Sequence, residues 1–175
     1  MNTKTLVSMS LFVGIGAALH FIIPGFFFSM KPDMMLLMMF LAIALFPEKK
    51  NVFILALASG VISGISTAFP GGLFPNIIDK FVTAFVFFAL FLVFRKAAAS
   101  VTGICVLTVI GTLVSGTVFL TSAYFIVGLP GPFLGLFSMV VLPAVLLNTI
   151  AIAIIYPIVK SIFQRTNQGT KLVKS

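Results

Sequence analysis

Apolar residues along this chain fall in long runs, broken by short clusters of glycine, proline and charge. Six runs can be drawn, at about 5–23, 33–46, 51–69, 77–94, 101–127 and 133–159. About 20 consecutive apolar residues let a helix cross the hydrocarbon layer of a bilayer. The pattern therefore predicts an all-α membrane protein, a compact bundle of six transmembrane helices. The second run is short, about 14 residues, so it is expected either to gain turns beyond Pro47 or to lie where the protein is thin. The last two runs exceed 25 residues and must tilt, kink or extend into the interface. Pro143 is expected to kink the sixth, because proline removes a backbone hydrogen bond. Residues 1–163 form the expected membrane domain, and the polar, basic residues 164–175 a flexible cytoplasmic tail. The first run has a lysine ahead of it, as a signal peptide would, but no Ala-x-Ala site closes it, so it is read as a helix.

Composition agrees. Of the 175 residues 61% are hydrophobic and 8% charged, where a soluble domain carries about 25% charged residues. The net charge of +8 does not point to nucleic acid, because the cations are scattered between apolar runs and form no basic stripe. Their distribution predicts orientation. Lys4, Lys49, Lys50, Arg95, Lys96, Lys160, Arg165, Lys171 and Lys174 fall on one side, against Lys31 and Lys80 on the other. The cation-rich side of a membrane protein is the cytoplasmic one. Both termini are thus expected in the cytoplasm of a multi-pass protein of the cytoplasmic membrane, with loops 24–32, 70–76 and 128–132 facing outward. Those loops are rich in Gly, Pro and Phe, which suits either plain chain reversal or lids over a pocket. Cys105 has no second cysteine to pair with.

The chain has three acids, and two of them sit in similar places, in Met30-Lys31-Pro32-Asp33 and in Pro75-Asn76-Ile77-Ile78-Asp79-Lys80. A charge at the centre of a membrane helix is unfavourable by roughly 2.5–3.5 kcal/mol on insertion scales and tends to mark a ligand or ion path. The helix dipole accounts for an acid near a helix N-terminus, but it disfavours Lys80 there, so Lys80 needs an anionic partner. Asn76, Asp79, Lys80 and Thr83 stand at i, i+3, i+4 and i+7 and share one helix face. His20 lies at the same end of the first helix. The candidate substrate-binding residues are therefore His20, Lys31, Asp33, Asn76, Asp79 and Lys80, with Met34 and Phe74 as apolar lining. Asn148 and Thr149 lie in the middle of the sixth run; Asn148 either caps the break near Pro143 or reaches the site from below. Aromatic and methionine side chains beside a cation and an anion suit a zwitterion with an apolar aromatic side chain. The competing reading is a set of ion pairs that only order the outer loops. No metal site, phosphate loop or nucleophile–base set can be drawn, and no cofactor or enzymatic activity is expected. Rows of small residues, Ser10/Gly14/Ala18, Ala56/Gly60/Gly64/Ala68 and Thr108/Thr112/Gly116, permit close helix packing or docking of another membrane protein.

The segments MKPDMMLLMMF (Met30 to Phe40), PNIIDK (Pro75 to Lys80), LTVIGTLVSG (Leu107 to Gly116), VGLP (Val127 to Pro130) and VVLPAVLLNTI (Val140 to Ile150) resemble the TrpP-type bacterial tryptophan transporter family. The likeness runs from about Lys4 to Phe163. That family is related to the S components of energy-coupling-factor (ECF) vitamin transporters. The resemblance implies six helices, an outward-facing pocket, L-tryptophan as substrate, and uptake across the cytoplasmic membrane. It also implies that small residues on helices one and three dock on a coupling transmembrane subunit that works with ATPases; the other mode is uptake by the chain alone in its lipid bilayer. Two further readings remain at this point: an S component for a vitamin or another aromatic heterocycle, and a non-transporting membrane partner protein.

Overall fold

The computed structural model describes residues 3–22 and 33–172, with side chains as far as Arg165. Helix α1 (Thr3–Ile22) is followed by α2 (Met34–Leu45), α3 (Lys49–Ile65) and α4 (Leu73–Val93). A short turn of helix, α5 (Arg95–Ala98), leads to α6 (Val101–Ile126). Then α7 (Phe133–Leu136) passes through a π-helical turn (Phe137–Val141) into α8 (Leu142–Leu172). Each of the six apolar runs carries a helix. Four stretches are long and apolar enough to cross a membrane: Thr3–Ile22, Leu73–Val93, Val101–Ile126 and Phe133–Arg165.

Helix α2 explains the short second run. Its 12 residues rise only about 18 Å, well below the ~30 Å of a hydrocarbon core. It need not match that thickness, because it is enclosed by protein. Residues Met34 to Ile43 are all buried, and α1, α3, α4, α6 and α8 all pack on it. A helix that is apolar on every side belongs in such an interior. Asp33 caps its start by accepting the Leu36 N–H at 2.9 Å. Pro47 stops it, since the residue before a proline is pushed out of the α region. At the centre Phe40 of α2 stacks on Phe87 of α4 with ring centroids 4.0 Å apart. Gly111 of α6 leaves room for them, as a Cβ there would lie 2.6 Å from Phe40 Cζ.

The remaining helices surround α2, with close pairings of α3 with α4, α4 with α6, and α6 with α8. Ala56, Gly60 and Gly64 of the α3 row turn inward against α4. A Cβ on Gly60 would lie 3.0 Å from the Ile77 Cα, and one on Gly64 would lie 2.8 Å from the Leu73 carbonyl oxygen. That row is internal packing, which corrects the docking role that the resemblance implied for it. The α1 row differs: Ser10, Gly14 and Ala18 are exposed, and a Cβ on Gly14 would meet nothing within 4 Å.

Near Pro143 the chain forms the π-helical turn, in which the Leu142 N–H bonds to the Phe137 carbonyl five residues back. The wider turn accommodates a proline that can offer no N–H. Helix α8 runs past Gln164 to Leu172, with Pro157 inside it. Its outer side is a ridge of Leu142, Leu146, Ile150, Ile154, Ile158 and Ile162, all exposed and four residues apart. Such a ridge would be an aggregation patch in water and is an ordinary surface in lipid. At the cation-rich end, Lys160 Nζ donates to the Ala99 carbonyl at 2.6 Å and Tyr156 Oη to the Ala98 carbonyl at 3.1 Å, which ties α8 to the α5–α6 turn.

Valine at Gly60 or Gly64 must push α3 off the α4 backbone. Each substitution is expected to destabilise the purified chain by about 1–3 kcal/mol, read as a lowered midpoint of thermal unfolding in detergent. Gly14→Ala, with open space around it, is the matched control and is expected to leave the midpoint unchanged.

Candidate functional site

The first turns of α4 set the site. With Gly72 as N-cap and Pro75 in the first turn, where a missing N–H does no harm, Asn76, Asp79, Lys80 and Thr83 all face inward and are buried. Lys80 Nζ donates to Asp79 Oδ2 at 2.8 Å and to Asp33 Oδ2 at 2.7 Å. Neighbours in a helix do not ordinarily face one another; the long lysine stem lets the ammonium curl back to Asp79 while reaching α2. One ammonium thus bridges the two acids, each on its own helix. Lys80 and Asp79 have 2% of their side-chain surface exposed and Asp33 28%, so the bridge is open on the Asp33 side.

Further donors converge on Asp79. Thr83 Oγ1 donates to Asp79 Oδ1 and Ser115 Oγ to Asp79 Oδ2, both at 2.9 Å. Asn148 reaches in from α8: its Oδ1 accepts the Asp33 N–H at 2.9 Å, and its Nδ2 donates to Thr112 Oγ1 at 3.3 Å. Of the two roles open to Asn148, the structure therefore shows the one that reaches the charged cluster. Asn76 Nδ2 donates to the Gly72 carbonyl at 2.8 Å and steadies the start of α4.

These groups line one end of a cavity of about 310 Å³, at the lower end of the roughly 300–1,000 Å³ typical of small-molecule sites. Asp33, Asn76, Asp79, Lys80, Thr112, Ser115 and Asn148 form its polar wall. The rest is largely apolar, with Phe69, Phe119, Leu136, Val140 and Ala144 prominent. Phe69 and Phe119 meet edge to face, ring centroids 5.4 Å apart.

Of the sequence candidates, Asp33, Asn76, Asp79, Lys80 and Asn148 are brought together here. His20 is half-buried and within electrostatic reach of Asp33, but it is not part of the cavity wall. Two lining candidates are displaced. Phe74 is 62% exposed, on the far side of α4 from Asn76, because two residues along a helix turn the side chain about 200°. Met34 packs in the hydrophobic core, as its place on the enclosed α2 requires. Lys31 lies outside the described residues. Thr112, Ser115 and Phe119 were not among the candidates; Thr83, read on the polar face of α4 but not counted as a candidate, meets Asp79 without lining the cavity. Thr112, Ser115, Gly116, Phe119 and Leu120 all line the cavity, and their spacing of i, i+3, i+4, i+7 and i+8 was a readable one-face signal.

Comparison with known proteins decides the family. The model of the family described as tryptophan transporter TrpP matches residues 2–164. This chain belongs to the TrpP tryptophan transporter family. A probable tryptophan transport protein of Bacillus subtilis is 59% identical over 167 residues, which cover 95% of this chain and 96% of that one. A probable tryptophan transport protein of Clostridium acetobutylicum is 41% identical over 160 residues, 91% of this chain and 94% of that one. Its counterpart in Clostridium perfringens is 34% identical over 177 residues, covering 95% and 96%. No solved structure matches the chain. TrpP membership, together with several membrane-length helices, makes this a multi-pass membrane transport protein.

Removing one member of a buried ion cluster leaves the others uncompensated. Lys80→Ala is expected to destabilise this TrpP chain by about 3–5 kcal/mol, measured by equilibrium unfolding in detergent. The triple variant Asp33→Asn/Asp79→Asn/Lys80→Met, which removes every charge at once, is expected to recover most of that loss.

Proposed function

We propose that the cavity binds L-tryptophan from outside the cell and that the chain carries it across the cytoplasmic membrane. What supports this reading is a single arrangement: an acid–lysine–acid bridge at one end of a cavity whose other end is an aromatic pair. In formal charge, Asp33 and Asp79 against Lys80 leave one negative charge over, which the ammonium of an amino acid balances. Lys80 uses two of its three N–H groups on the carboxylates, leaving one for the substrate carboxylate. Asn76 completes the polar end, and His20 adds to it only at electrostatic range, through Asp33. An indole side chain, about 150–250 Å² at ~25 cal/mol/Å², gains about 4–6 kcal/mol when fully buried.

In this reading α2 and α3 complete a six-helix membrane bundle. The cation-rich end of α5 and α8 faces the cytoplasm with both termini, and the mouth of the cavity faces outward. A second mode of action draws on one specific observation, the exposed Ser10/Gly14/Ala18 row on α1. There a coupling transmembrane subunit would sit, linking the chain to ATPases. Purification of the chain from its native membrane distinguishes the modes: a coupled transporter brings an ATPase down with it, and a solitary one does not.

Binding itself is tested by calorimetric titration of the purified chain with L-tryptophan. Loss of one charged hydrogen bond is worth about 1.5–3 kcal/mol, so Asp79→Asn is expected to raise Kd by about 10- to 150-fold. Phe74→Ala, on the outer side of α4, is expected to leave Kd within about twofold. A parent chain that ignores tryptophan defeats the proposal.

A further inference from the structure

The polar end of the cavity selects for an amino acid but says nothing of which one. The other end carries more information. Along α6, Phe119 lies four residues beyond Ser115, about 6 Å by helix rise, and on the same face. An amino acid held at the Asp33–Lys80–Asp79 bridge would thus direct its side chain toward the Phe69–Phe119 pair. Flat rings favour edge-to-face or offset contacts with such a pair, which any aromatic amino acid could satisfy.

Thr67 breaks that ambiguity. It lines the same cavity, two residues before Phe69. Its Oγ1 already accepts the Phe69 N–H at 3.2 Å, which fixes the hydroxyl relative to the ring beside it. A threonine oxygen has two acceptor lone pairs, so one remains. Position is held from behind as well. A Cβ on Gly72 would lie 2.9 Å from Thr67 Cγ2 and 3.1 Å from Thr67 Oγ1, so only glycine at 72 lets Thr67 sit where it does. An indole N–H is a donor with no acceptor capacity, and a lone-pair acceptor set beside an aromatic pair is the complement it needs.

We propose that Thr67 is the specificity-determining residue of the aromatic end, accepting the indole N–H of a substrate ring seated against Phe69 and Phe119. The proposal rests on tryptophan being the cargo. It goes further in assigning the discrimination of indole from other rings to one hydroxyl rather than to cavity shape. A site built to bond a substrate N–H discriminates strongly against an analogue without it.

The experiment compares L-tryptophan with 1-methyl-L-tryptophan, which keeps the ring and loses the donor, by calorimetric titration of the purified full chain. The parent is expected to prefer tryptophan by at least about tenfold. Thr67→Val, equal in shape but without the hydroxyl, is expected to weaken tryptophan by about tenfold, to leave 1-methyl-L-tryptophan unchanged, and so to bring the ratio close to one. Thr67→Ser is expected to restore the preference; the unchanged affinity of Thr67→Val for 1-methyl-L-tryptophan is the result that a purely structural role for the side chain would not explain. Gly72→Ala, which must displace Thr67, is expected to act as Thr67→Val does. A preference that survives in Thr67→Val overturns the proposal, since it assigns discrimination to shape. Equal binding of both ligands by the parent overturns it too, while leaving the tryptophan site standing. Failure of the parent to bind either ligand overturns both readings together.

Discussion

The ammonium of Lys80 holds this structure's polar interior together. It sits almost wholly out of solvent between the carboxylates of Asp33 and Asp79, and an isolated charge in that position would be untenable. From this requirement the neighbouring structure follows. Asp79 must itself be satisfied, which brings in Thr83 on the same helix and Ser115 from α6. Asp33 has to stay at the start of α2, where it also caps the helix, and Asn148 crosses from α8 to hold its backbone N–H. Four helices thereby meet through polar side chains in a protein whose other contacts are nearly all apolar. Lipid offers helices little hydrophobic reason to associate. A connected polar cluster supplies specificity that packing alone lacks, and at the same time builds the wall of a cavity.

The close approach of α3 to α4 has a related role. Gly60 and Gly64 bring the α3 backbone against Ile77 and Leu73, on the first turns of α4, which carry the charged cluster. The small residues that might have served an outside partner are used to seat the site. The charged end of α4 is therefore fixed from two sides, by glycine contact with α3 and by the ion bridge to α2.

Much of this was legible in the chain itself. The six apolar runs located the helices, because backbone polar groups in lipid must be satisfied within each segment. The i, i+3, i+4, i+7 spacing put Asn76, Asp79, Lys80 and Thr83 on one buried face. Asn148 could be singled out because it is the one amide in its apolar run, though only the fold could say that it meets Asp33. Phe74 was misread, since two positions from Asn76 is nearly opposite on a helix; the spacing that grouped the polar residues also excluded it. Thr112 and Ser115 were hidden for a different reason. Small hydroxyl residues in a membrane helix read equally well as close-packing or as hydrogen-bonding groups, and only the neighbour across the gap decides between them. Met34 had no face to be assigned to, because α2 is apolar all round.

The same enclosure separates two stretches that hydropathy cannot tell apart. Helix α2 and the Leu142–Ile162 ridge of α8 are both aliphatic and nearly uncharged, yet one is enclosed by five helices and the other is exposed along the outer side of its helix. Trimming a methylene from α2 opens a void among close-packed atoms, whereas trimming one from the ridge only lets a lipid tail settle nearer. Mutational tolerance along this chain should therefore follow which solvent a residue meets, protein or lipid, rather than how greasy its segment looks.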